Sequence, residues 1–119
     1  MPLDWAIRIV PATGGGAAFQ PRVPDAKPGD PLKAQVDDVV TWGNATQETH
    51  QPWPTQGNTT NGAPLADNDP EAKTRFLSDP IPPEGSSSPQ YVVIAPASGS
   101  EINYCCKNHP TERGQIKIF

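Results

Sequence analysis

Four side chains with metal-binding donors stand out by type and spacing. Near the C-terminus, INYCCKNHPTERGQIKIF holds Cys106, His109 and Glu112, each separated from the next by two residues. A thiolate and an imidazole that close, on a tight loop between two strands, can reach one metal ion. Soft sulfur and borderline nitrogen suit copper or zinc and not magnesium or calcium. The chain's other histidine, His50, follows the apolar run VVTW inside WGNATQETHQPWP. One cysteine, two histidines and a weak or variable fourth ligand is the composition of a blue-copper electron-transfer site. Zinc remains open, because Cys and His also suit that ion.

Strand alternation selects between the two cysteines. If Tyr104 and Cys106 point inwards, Cys105 points the other way. Cys105 then reads as an ordinary strand residue, or as an electron route, or as a redox partner of Cys106. A disulfide between neighbours needs a strained ring, so the pair defines no disulfide framework.

The elements that must position these groups read as short strands. WAIRIV (Trp5–Val10) is rich in branched residues. LKAQV places Leu32, Ala34 and Val36 on one face. VVTW (Val39–Trp42) is a more buried strand, and QYVVIA and EINYCC are two further ones. GQIKIF closes the chain with Ile116 and Ile118 alternating against Lys117. TRFLSDPI is a weaker strand, and AFQPRVPDAKPGDP an edge strand broken by prolines. Residues 51–74 read as one long polar loop, PASGS as a tight connection, and no segment as a helix. Short strands at this spacing indicate an all-β fold, an antiparallel Greek-key sandwich or barrel of seven to eight strands. The 119 residues fit one domain, 1–119.

Composition excludes several functions. There are 16 prolines and 10 glycines, which suits turns and edges over a helical bundle. The net charge is −4 with no basic run, so no nucleic-acid footprint is present. Apolar runs reach only about six residues, too short for a membrane span. MPLDWAIRIV does not have the build of a signal peptide. The triplets NAT and NTT match a glycosylation acceptor, a short pattern that arises often by chance.

Two segments carry a family resemblance. DDVVTWGNATQETH resembles the cupredoxin strand that ends in an aromatic residue, then Asn44, then the first ligand, His50. YCCKNHPTERGQIKI resembles the ligand loop of amicyanin-type cupredoxins, with Tyr104, Cys106, His109, Pro110 and Gly114 in their places. The family's axial methionine is replaced by Glu112, and Met1 is the only methionine present.

The resemblance implies a copper site of His50, Cys106 and His109, with Glu112 at the axial position and Asn44 bracing the ligand loops by hydrogen bonds. The edge of His109 would offer an electron route to a protein redox partner. It also implies a periplasmic or extracellular protein. A carboxylate ligand is a harder, charged donor, which favours Cu(II) and a red or green site. The bland alternative is a solvated Glu112 paired with Arg113. Trp53 reads as a shield for the site, a docking residue or plain packing. Three functions stay open: electron transfer, a red-copper site with an open position for a small molecule, and copper storage, delivery or a structural role.

Overall fold

Alternation of buried and outward-facing residues generates the strands. The structure, a computed structural model, describes residues 2–87, 90–95 and 100–119. Its strands are β1 (Asp4–Pro11), β2 (Ala17–Pro21), β3 (Leu32–Ala34), β4 (Val39–Asn44), β5 (Pro52–Pro54), β6 (Tyr91–Val92), β7 (Glu101–Cys106) and β8 (His109–Ile118). In β1 the inward side chains are Ile7 and Ile9, and in β4 they are Val40, Trp42 and Asn44. The expected all-β sandwich is therefore found, with eight strands among the described residues.

The strands form two four-stranded sheets, ordered β2-β1-β4-β6 and β3-β8-β7-β5. Wholly antiparallel pairing was the expectation, and here the structure differs. β1 and β4 run parallel, Trp5 opposite Val40 and Ile7 opposite Trp42, and β3 runs parallel to β8. The cause is the connection: the chain leaves the first sheet after β2, adds β3 to the second, then returns beside β1. Alternation reveals which face of a strand is buried, not which direction its neighbour runs.

The core between the sheets centres on three aromatic rings. Tyr104 packs edge-on against Phe19 at 4.9 Å and against Trp42 at 5.4 Å. Trp42 Nε1 donates to the Tyr104 hydroxyl at 3.2 Å, which satisfies a buried polar group on each ring. Gly114 lies opposite Tyr104 on β8, and a Cβ there would sit 2.3 Å from the ring. The tyrosine occupies the volume that a side chain at 114 would need.

Other expectations are revised by prolines and caps. TRFLSDPI is no strand; Ile81 makes a single bridge with His50, and Pro80, Pro82 and Pro83 have no N–H to extend it. QYVVIA is strand only at Tyr91 and Val92, with Val93 bonding the backbone of Asp37 and Asp38, and Val36 is exposed beyond the end of β3. Of PASGS, residues 96–99 lie outside the described residues.

The 51–74 stretch is not one loop. It holds β5, a 3-10 turn (Gln56–Asn58) and a one-turn helix, α1 (Pro70–Thr74). Asp69 caps α1 by accepting from the Glu71 amide at 2.9 Å, and Pro70 opens it. Trp53 anchors the segment: it is buried with Leu65 and Ala72, donates from Nε1 to the Leu65 carbonyl at 2.7 Å, and meets Phe76 edge-on. Packing, not shielding or docking, is its observed role.

Candidate metal centre

The end of the sandwich where β4 and β7 finish brings the four donors together. β7 ends at Cys106 and β8 begins at His109, so only Lys107 and Asn108 form the turn. The tight loop expected between two strands is thus a hairpin turn. Cys106 pairs with His109, but Cys105 already pairs with Arg113. Residues 110–112 are therefore extra in the ladder. This bulge lets His109 and Glu112, an odd number of residues apart, turn to the same point.

His50 arrives from the other sheet, after β4. Its amide and carbonyl pair with Ile81 at 3.1 and 2.7 Å. Asn44 fixes the intervening turn. Its Nδ2 donates to the carbonyls of Glu48, Ile81 and Pro82, and its Oδ1 accepts from the amide and hydroxyl of Thr46. These bonds tie the turn to the segment around Ile81. Pro110, by contrast, is exposed on the bulge.

The donor atoms converge. Cys106 Sγ is 3.4 Å from His50 Nδ1 and 3.6 Å from His109 Nδ1. Glu112 Oε1 is 3.1 Å from His50 Nδ1 and 3.6 Å from His109 Nδ1. One donor atom from each of the four residues lies within 4.8 Å of the others. A sulfur at about 2.3 Å and a nitrogen at about 2.0 Å from one tetrahedral ion are about 3.5 Å apart. The observed separations suit such an ion.

The Glu112 carboxylate supplies the sharpest indication. It is buried, and Oε2 accepts from the Ala17 amide at 2.8 Å. Oε1 is buried with no hydrogen bond, although it points at both imidazoles. With both Nδ1 atoms unprotonated, Oε1 has no donor, and a buried acceptor left so costs free energy, of the order of 1–3 kcal/mol or more. A cation among these donors removes that cost. Arg113 does not pair with Glu112; it donates to the Gly62 carbonyl.

Burial biases Cys106 and His50 towards their neutral forms. It pushes the Cys106 thiol up, against hydrogen bonds from the backbone of Gln51, Asn108 and His109. It pulls the His50 imidazole down, with the Glu112 carboxylate opposing and His109 adding to the depression. A neutral imidazole is ready to coordinate, while the thiol must lose its proton to the solvent as a cation binds.

Cys105 is as buried as Cys106 but lies outside the main core, opposite Trp53 on β5 and Arg113 on β8. Its thiol is pushed up to about 11 by burial. Two polar residues next to the donors were not foreseen from sequence. Thr46 Oγ1 lies 2.9 Å from His50 Nε2, and Glu48 Oε2 lies 3.1 Å from His109 Nε2. Asn44 and Asn58, the glycosylation triplets, spend their side-chain amides on internal carbonyls.

The fold is cupredoxin-like, and the four donors gather at one end of it. Over 96% of this chain and 82% of its own, a solved structure of a methionine-to-alanine mutant of amicyanin, Cu(I), superposes with a TM-score of 0.50 at 20% sequence identity. At that identity the likeness concerns the fold. No family profile matches the chain, and no curated protein sequence does. No helix among the described residues is long and apolar enough to cross a membrane.

Proposed function

We propose that the protein is a mononuclear copper electron carrier, with His50, Cys106, His109 and Glu112 as the ligands. The observation that carries this reading is the convergence of two Nδ1 atoms, one Sγ and a buried carboxylate oxygen that has no hydrogen bond. Copper, when bound, supplies a one-electron couple between Cu(II) and Cu(I). The chain's own part is to hold the donors fixed, so that little rearrangement accompanies the change of charge. The hairpin turn fixes Cys106 against His109, the Ile81 bridge fixes His50, and the Ala17 amide fixes Glu112.

The route to a partner is the edge of His109, which is 34% exposed while His50 is only 2% exposed. The acidic balance of the chain suits a protein partner with a basic face. The fold suits a periplasmic or extracellular protein. Glu112 replaces a neutral thioether by a negative oxygen, which favours Cu(II) and lowers the reduction potential.

The test is to add Cu(II) to metal-free protein and record the visible spectrum, then repeat with Cys106→Ala and Glu112→Gln. An intense thiolate-to-copper band that vanishes in Cys106→Ala is expected, and its colour should shift in Glu112→Gln. A blue band untouched by Glu112→Gln would remove Glu112 from the ligand set. A band that moves on adding azide would favour a small-molecule site over a closed electron carrier. No charge-transfer band in the parent protein would end the copper reading.

A further inference from the structure

The turn between β4 and His50 reaches both imidazoles on the side away from the donor cluster. Thr46 Oγ1 is 2.9 Å from His50 Nε2, and Glu48 Oε2 is 3.1 Å from His109 Nε2. His109 comes from the opposite end of the sequence and the other sheet. Its Nδ1 faces Cys106 and Glu112, so Nε2 is the nitrogen left to carry a proton outwards.

A surface ion pair ordinarily contributes little, and Glu48 is 69% exposed. What sets Glu48 apart is its root. Its carbonyl accepts from Asn44 Nδ2 at 2.6 Å, and its amide donates to Thr46 Oγ1 at 3.3 Å. Asn44 is itself held by the Ile81 and Pro82 carbonyls. The carboxylate therefore projects from a fixed backbone, and the entropy of ordering it is partly met in advance.

We infer that Glu48 is a positioning residue for His109. Its carboxylate accepts the Nε2 proton, holds the ring in the tautomer whose Nδ1 is free to coordinate, and keeps a half-exposed ligand from turning out to solvent. This inference rests on the reading of His109 as a ligand. Carboxylate partners of this kind fix ring orientation and raise ligand basicity, and their loss typically costs about 10- to 100-fold in metal affinity. One short turn, Asn44 to His50, then sets both histidines, although only His50 belongs to it.

The experiment compares Glu48→Ala, Glu48→Gln, His109→Ala and Cys106→Ala with the parent protein. Cu(I) affinity is read by competition with a chromogenic chelator. Nitrogen-15 NMR of the metal-free protein reads which His109 nitrogen carries the proton. Glu48→Ala should weaken Cu(I) binding by roughly 10- to 100-fold and mix the His109 tautomers, with the thermal midpoint of the metal-free protein unchanged. Glu48→Gln, which keeps an acceptor oxygen, should recover most of the affinity and the Nε2–H tautomer. If His109→Ala and Cys106→Ala weaken binding while Glu48→Ala matches the parent in affinity and tautomer, the role of Glu48 is overturned and the copper site stands. If His109→Ala and Cys106→Ala bind like the parent, the site and the inference fall together.

Discussion

Glu112 and Ala17 stand 95 residues apart in sequence and meet in a 2.8 Å hydrogen bond from the Ala17 amide to Oε2. The amide belongs to the tip of the β1–β2 hairpin, where Gly16 adopts φ +71° and a Cβ would lie 3.3 Å from the same oxygen. The bond fixes the carboxylate plane and leaves Oε1 facing the two imidazoles.

Glu112→Gln should raise the reduction potential of the copper-loaded protein. A unit negative charge near 4 Å from the ion favours Cu(II) by about 4 kcal/mol at an effective dielectric of 20, an upper figure for a partly compensated site. A rise on the order of 100 mV is therefore expected, since about 59 mV corresponds to a tenfold change for one electron. Protein-film voltammetry reads it directly; an unchanged potential would exclude Glu112 as a ligand.

Copper should stabilise the fold through the same residues. A ligand at about 100 times its dissociation constant adds about 2.7 kcal/mol. The thermal midpoint should rise on adding Cu(I) to the parent and stay put in Cys106→Ala. An equal rise in both proteins would locate the ion elsewhere.

Asn44→Ala should destabilise the metal-free protein by roughly 1–3 kcal/mol, because three carbonyls and two Thr46 donors lose their partner. Asn44→Asp should fare no better, since a carboxylate would face those three carbonyls. Urea midpoints measure both. A neutral effect would mean that the turn holds its shape without the side chain.

Gly114→Ala tests the aromatic centre of the core. The added methyl would lie 2.3 Å from the Tyr104 ring, and overpacking of this kind costs about 1–3 kcal/mol or more. Circular dichroism should show a lower melting midpoint, and the double variant Gly114→Ala with Tyr104→Leu should recover part of it. No loss in the single variant would contradict the packing described.

Asp38, at the far end of the sandwich, should make the fold lose stability in acid. Asp38 accepts from the Leu3 amide, Trp5 Nε1 and the Gln35 amide, each at 2.9 Å. The Leu3 bond first, then those of Trp5 and Gln35, hold its carboxyl below the ordinary value of 3.8. A depressed folded value means that the unfolded chain binds the proton more readily. The stabilisation is full above the unfolded value and fades as pH falls through the folded one. Below about pH 4 the parent should lose stability more steeply than Asp38→Asn. Parallel stability curves across that range would contradict this.

The parts of the site that lie close in sequence were legible there. Cys106 and His109 share one hairpin, and His50 follows a strand whose alternation is plain. Asn44 was singled out through the family resemblance, by its place before His50. The setting of Glu112 was not readable, because its partner amide lies in a glycine-rich hairpin at the other end of the chain. Glu48 and Thr46 look in sequence like any polar turn residues; only the fold aims them at the imidazoles. Alternation also placed Cys105 on the face opposite Cys106. It could not show that the 51–76 segment, anchored by Trp53, covers that face. The parallel ladders escaped for a related reason: neighbour direction depends on the path between strands.

The bulge at residues 110–112 separates two requirements that a strand usually imposes together. Since Cys105 pairs with Arg113 whatever happens in between, those three positions can change identity without shifting the register of β8 or the seat of Gly114. Position 112 is thus an interchangeable part on a fixed mount. A lineage, or an engineer, can retune the electronic character of such a centre by one substitution there. A new donor will reach the cluster only where the opposing hairpin offers an amide to hold it.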